Sequence, residues 1–169
     1  MVARFDTIDS PEGRKLLGLW ETAPGLYGWL ASVDHKSIGI RYLCTAFFFL
    51  VIGGVEALVM RVQLAQPDLK VLSPDAYNQL FSMHGTTMMF LYALPMLSGF
   101  SNYLWPLMLG SRDMAFPRLN ALSYWVFLLA GIFLYVSFPI GQAPNGGWFA
   151  YVPPTSLTND PGINMDVFA

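Results

Sequence analysis

The sequence predicts an all-α fold, an integral-membrane helical bundle with three transmembrane helices, and three observations predict it. Only 12% of the residues are charged and 54% are hydrophobic, where soluble domains carry about 25% charge. The mean hydropathy is +0.46. The charges that remain are segregated: residues 42–60 hold Glu56 alone, residues 76–111 hold His84 and no acid, lysine or arginine, and residues 119–159 hold none. A bilayer core about 30 Å thick is crossed by ~20 mostly apolar residues in a helix, and each stretch supplies them. A soluble helical protein is excluded, because nothing polar would remain to coat these helices.

The first span is expected over Tyr42–Met60, with Arg41 and Arg61 reaching opposite interfaces. The second runs from about Asn78 to Leu109, longer than a bilayer needs, and tilt or a kink at Pro95 would absorb the excess. The third covers about Asn120–Phe138, entered after Pro117 and ended by Pro139. Residues 1–33 form a cytoplasmic amino-terminal segment. Within it, 17–33 is placed along the membrane surface, with Trp20, Tyr27 and Trp29 at headgroup depth. Arg14, Lys15, Glu21 and Pro24 interrupt its apolar residues, so it does not read as a signal peptide. Residues 34–140 hold the spans, and 141–169, rich in Gly, Pro, Asn and aromatics, read as an extracytoplasmic loop.

Orientation follows from basic residues. Arg4, Arg14, Lys15, Lys36, Arg41, Arg112 and Arg118 fall on one side of a three-span chain, against Arg61 and Lys70 on the other. Seven against two places the amino terminus in the cytoplasm of a bacterial membrane. The net charge of −2 says nothing about nucleic acid, no basic run points to such a partner, and membrane lipid is the expected surroundings. Cys44, the only cysteine, implies neither a disulfide nor a metal cluster.

His84 is the one histidine inside a span. Ionisable groups in hydrocarbon are costly and face a partner in the bundle. One reading is an imidazole bonded to a neighbouring helix; the other is a ligand of haem iron, for which imidazole is a common axial group. The small neighbours Gly85, Thr86 and Thr87 leave room for a flat macrocycle. Asn102 lies 18 residues further on, five turns and about 27 Å along a regular helix, either as a helix–helix bond or as part of a polar path. Asp113, with Asn120 seven residues beyond it, is either a solvated loop acid or the mouth of such a path, where an acid followed by amides collects a proton and holds water. Glu56 receives no role.

Three stretches then carry a family likeness: DHKSIG (34–39), NQLFSMHGTTMMFLYALP (78–95) and GFSNYLWPLMLGSRDMAFPRLN (99–120), followed by GGWFAY and prolines (146–154). In order and spacing they resemble subunit I of the haem–copper respiratory oxidases, the cytochrome c oxidase subunit I family, over about residues 33–169. The resemblance implies that His84 is an axial ligand of a low-spin haem, with Arg61 at the haem edge and Tyr77 near a propionate. It implies that Asp113 opens a proton path lined by Asn102 and Asn120. Haem A is the favoured cofactor, although one histidine binds haem A, O or B alike.

The chain departs from the family at Asn120–Ala121, where many members have two asparagines, and at Gln63, where some have a glutamate linked to a cation. Copper, a second haem and the low-spin haem's second histidine are expected in further helices, supplied by the rest of subunit I or a complementary chain, beginning with a fourth helix after 141–169. Other oxidase subunits and a donor, cytochrome c or quinol, are the implied partners. The expected function is the amino-terminal portion of a terminal oxidase that reduces O2 to water and pumps protons, although this stretch alone lacks the O2 site. The alternatives are a non-enzymatic haem-binding electron-transfer module, or an assembly subunit in which His84 is structural.

Overall fold

The computed structural model describes Pro11 and residues 25–140 and 143–149. The chain divides into two units, 1–32 and 33–169. The described part of the first is a short helix, α1 (Gly25–Ala31), with Tyr27 and Trp29 exposed. Trp20 and the rest of the expected surface segment lie outside the described residues, as does the tail beyond Phe149.

Among the described residues, the regular structure of the second unit is all helical: α2 (His35–Gln63), α3 (Pro74–Thr86), a π-helical segment (Thr87–Ala93), α4 (Leu94–Leu109) and α5 (Pro117–Ile140). Two helices, α2 and α5, are each long and apolar enough to cross a membrane. Helices extend past the expected ends for identifiable reasons. Ser73 caps α3 by accepting from the Ala76 N–H at 3.1 Å, and Pro74 takes the first helical position, where its missing N–H costs nothing. Pro117 starts α5 in the same way, and Pro139 lies inside its last turn rather than ending it. Gly110 closes α4 in the left-handed conformation, φ 65°, and Ser111 N–H returns to Pro106 O at 2.9 Å.

The π segment interrupts the middle run. It ends just before Leu94, whose N–H bonds Met89 O, five residues back. Pro95 follows, with no N–H to give and a ring that crowds the preceding turn. A widened turn relieves both conflicts, so the phase between His84 and Asn102 is not that of a regular α-helix.

Close glycine contacts set the packing directions. Gly39 meets Gly99 and Tyr103, while Gly53 meets Thr87 and Met88, so α2 and the middle run are antiparallel. Tyr42 pairs with Ser123, Phe49 packs on Gly131, and Glu56 pairs with Tyr135, so α2 and α5 are parallel. The buried side of α2 is one stripe, including His35, Ile38, Tyr42, Ala46, Phe49, Gly53, Glu56 and Met60, recurring every three or four residues as a helix face must. Phe49, Met83, Leu91 and Leu134 form one core cluster with Ala143 of the following segment, and Ile38, Tyr42 and Tyr124 form another.

Candidate functional site

His84 lies in the last turn of α3 and is half-buried. Its Nδ1 is 2.9 Å from the carbonyl oxygen of Gly53 on α2. A carbonyl only accepts, so Nδ1 carries the proton and Nε2 presents a lone pair. Among the described residues Nε2 has no hydrogen-bond partner. Gly53 makes this possible locally: a Cβ there would come within 2.8 Å of Met88 Sδ and 3.3 Å of Thr87 Cγ2. An imidazole fixed through one nitrogen, with the other left basic, is the form that binds a metal.

The faces of Gly85 and Thr87 are covered by protein groups. Trp148 covers Gly85 so closely that a Cβ would sit 2.7 Å from its ring, and the Thr87 hydroxyl is 2.6 Å from Tyr135 Oη. Small residues there serve close packing by protein groups. A mostly apolar cavity of about 740 Å³ does open beside Thr86, between Phe90, Leu134 and Trp148, but His84 does not line it.

Arg61 and Tyr77 share the His84 end of the bundle. Arg61 is exposed in the last turn of α2. Tyr77, half-buried in the first turn of α3, lines a cavity of about 260 Å³ with Gln63 and Leu72. Tyr77 and His84 are seven residues apart, two turns on one helix face. Gln63 has a task the sequence did not reveal. Its Nε2 donates to Leu69 O, and its Oε1 accepts from Val71 and Leu72 N–H at 3.0 and 2.8 Å. One amide thus folds the whole turn between α2 and α3.

The other candidates gather at the opposite end, on the first two turns of α2. Asp113, in the loop after α4, brings Oδ1 to 3.4 Å from Nδ1 of His35. Asp34 Oδ1 is also 3.4 Å from that nitrogen, and the three ligand-type atoms lie within 4.8 Å of one another. His35 is 1% exposed. These are ion-pair distances, but neither ring nitrogen completes a hydrogen bond among the described residues. Asp113 Oδ1 also accepts from Met114 N–H at 2.8 Å. The sequence offered a signal for this neighbourhood: the chain's only other histidine stands just before the first apolar stretch, on the side expected for the loop carrying Asp113.

Asn102 is buried one turn past the Gly39–Gly99 contact. Its Nδ2 donates to Ser98 O of its own helix at 2.9 Å, and its Oδ1 is buried without a partner among the described residues. Asn120 mirrors this, with Nδ2 buried and unpartnered. Ser123 Oγ donates to Asn120 O at 2.7 Å, so the 3.0 Å contact between Tyr42 and Ser123 has Tyr42 as donor. Tyr42 and Ser123 are polar groups of this end that sequence reading passed over. Eighteen residues of α2 separate His35 from Gly53, so the two clusters stand about 27 Å apart along the helix axis.

The sequence matches the model of the family described as Cytochrome C and Quinol oxidase polypeptide I over residues 37–168. It is 50% identical over 141 residues to the putative cytochrome c oxidase subunit 1-beta of Streptomyces avermitilis, covering 83% of this chain and 25% of that protein. It is 48% identical to the heme-copper oxidase subunit I+III of Aeropyrum pernix, covering 85% of this chain and 18% of that one. With the quinol oxidase subunit 1 of Bacillus spizizenii it shares 45% over 79% of its own length and 21% of the relative's. The chain therefore spans a quarter or less of these relatives. A match that takes in nearly all of the second unit, with His84, Asn102, Asp113 and Asn120 inside it, means that the chain belongs to the cytochrome c and quinol oxidase polypeptide I family.

Proposed function

We propose that this chain forms part of the catalytic subunit of a haem–copper terminal oxidase, which reduces O2 to water while protons move across the membrane. In this reading it supplies one axial ligand of a low-spin haem and the entrance of a proton path. The observation that carries the reading is the His84 imidazole, whose Nδ1 is engaged by Gly53 O at 2.9 Å, leaving Nε2 as the ligand atom. Bound there, haem, with haem A favoured, supplies one-electron transfer. Arg61 and Tyr77, at the same end, are assigned to the haem's periphery.

At the other end Asp113 collects the proton, and Asn102 and Asn120 line the way inward. Buried polar atoms without protein partners, such as Asn102 Oδ1 and Asn120 Nδ2, are the groups that hold ordered water. Tyr42 and Ser123 extend the polar strip between α2 and α5.

The middle run Pro74–Leu109 is a third span, a reading supported by its antiparallel packing against α2. The amino terminus is read as cytoplasmic in a bacterial membrane, a reading supported by seven basic residues against two. Residues 1–33 are then a cytoplasmic segment, 34–140 the spans, and 141–169 an extracytoplasmic loop. Further helices, from the same subunit or a complementary chain, hold the second haem ligand, the copper and the second haem. Other subunits and a donor, cytochrome c or quinol, complete the assembly, and the relatives' names include both donors.

His84→Ala in native membranes tests the ligand assignment. The reduced-minus-oxidised spectrum is expected to lose the low-spin haem band while the subunit remains in the membrane. An unchanged band would overturn the assignment.

A further inference from the structure

Glu56 lies on the buried stripe of α2, 6% exposed. Its Oε1 accepts from Tyr135 Oη of α5 at 3.1 Å. The same phenol oxygen is 2.6 Å from Thr87 Oγ1 of the π segment. A phenol has one proton, and here it goes to the carboxyl group, so Thr87 is the donor to Tyr135. The chain Thr87→Tyr135→Glu56 therefore has one direction and ties together α2, the π segment and α5.

Thr87 is also where the backbone changes from α to π. Its N–H is shared between the carbonyls of His84 and Met83, three and four residues back, so the α pitch that carries His84 runs up to Thr87 and widens only beyond it. A widened turn holds one extra residue, and sliding its start by one residue rotates the side chain at the junction by about 100°. Pro95 fixes the far edge of the segment, because it has no N–H and clashes with a regular preceding turn. At the near edge the sequence Gly85–Thr86–Thr87 offers no such covalent stop.

Depth places this chain beside His84. Gly53 stands opposite Thr87 and Met88 in an antiparallel pair. Glu56, three residues on, and His84, three residues back, thus lie at one level, each about 4.5 Å along the axis from that crossing.

We propose that the Thr87–Tyr135–Glu56 chain pins the start of the π segment against α2 and α5 and so keeps Gly53 O seated on the His84 imidazole, making Glu56 and Tyr135 positioning residues for His84. The inference rests on the haem-ligand reading of His84. If the pin is released, Gly53, which packs on Thr87, shifts against α3, and its carbonyl leaves the imidazole Nδ1 that it now meets at 2.9 Å.

The test uses native membranes carrying Thr87→Val, Thr87→Ser, Tyr135→Phe and Glu56→Gln, each normalised to total haem. The readouts are the low-spin haem's electron paramagnetic resonance g-values and its reduced fraction at a fixed redox poise. Thr87→Val and Tyr135→Phe are expected to shift the g-values and change the reduced-to-oxidised ratio by about threefold, the equivalent of one net hydrogen bond. Thr87→Ser keeps the donor and Glu56→Gln keeps an accepting oxygen, so both are expected to match the wild type. Unshifted signals in Thr87→Val and Tyr135→Phe at full haem content would overturn the pin. A Glu56→Gln shift as large as that of Tyr135→Phe would also overturn it, because charge rather than register would then be acting. If Thr87→Val does not assemble, Tyr135→Phe decides alone, since it removes both bonds at the cost of one oxygen. Survival of the low-spin band in His84→Ala would instead bring down the ligand reading, and the consequence for His84 with it.

Discussion

Replacing Gly39 with alanine tests how closely the first two helices meet. A Cβ at Gly39 would sit 2.9 Å from Gly99 O and 3.1 Å from both N and Cβ of Tyr103. Two of those atoms are backbone, so no side-chain rotation relieves the contact and the helices must separate. Overpacking of this kind costs about 1–3 kcal/mol. Alanine also favours the helix by about 0.8–1.0 kcal/mol over glycine, which hides part of the loss. Gly54→Ala supplies the correction, because a Cβ there meets nothing within 4 Å. Both variants gain the same propensity, so their difference isolates the clash, expected at about 1–3 kcal/mol. Small residues at such crossings are how membrane helices approach closely. The assay is reversible unfolding of the purified protein in mixed micelles, followed by loss of helical circular dichroism. Equal stability of Gly39→Ala and Gly54→Ala would refute the claim that α2 and α4 touch backbone to backbone. A separation would also loosen the face holding Asn102, one turn from Gly99, and faster hydrogen exchange there is the accompanying sign.

Two further outcomes follow from single residues. Gln63→Leu removes three bonds to the turn at 69–72, worth about 0.5–1.5 kcal/mol each, and is expected to open that turn to limited proteolysis while α2 and α3 stay protected; an unchanged cleavage rate would deny Gln63 this role. Asp113→Asn is expected to slow proton uptake and oxidase turnover roughly tenfold or more, on the scale of a displaced proton-transfer group, with the haem spectrum unchanged. Normal uptake would remove Asp113 from the path.

The helices were legible because charge is excluded from them, and the turns between them because Pro, Gly and charge return there. The inward face of α2 was not legible. In a bilayer the outward face is as apolar as the inward one, so Phe47 and Phe48, both 60% exposed, look in sequence just like buried Phe49. The stripe is marked instead by small and polar residues, Gly39, Tyr42, Gly53 and Glu56, which hydrophobic periodicity does not register. Glu56 stayed without a role because its partner Tyr135 is 79 residues away. His35 escaped notice for the same reason, its neighbour Asp113 being visible only once the loop is folded. His84 stood out by rarity alone, while the Gly53 carbonyl that fixes its tautomer carries no sequence signal. The space assigned to Gly85 went wrong because a glycine marks close approach without saying what approaches, and here it is Trp148.

The segment after α5 also has a bearing on time. Gly147 N–H reaches Ser82 Oγ at 2.7 Å, Asn145 Nδ2 reaches Asp75 at 3.4 Å, and Trp148 lies over Gly85. These closing contacts join residues more than sixty positions apart. During synthesis at ~5–20 residues per second, the face of α3 at Ser82 and Gly85 is made first and stays uncovered for roughly 3–12 s before its cover leaves the ribosome. The helix turn that carries His84 is thus open in the growing chain and partly roofed in the finished one, so the order of translation decides what can reach it and when.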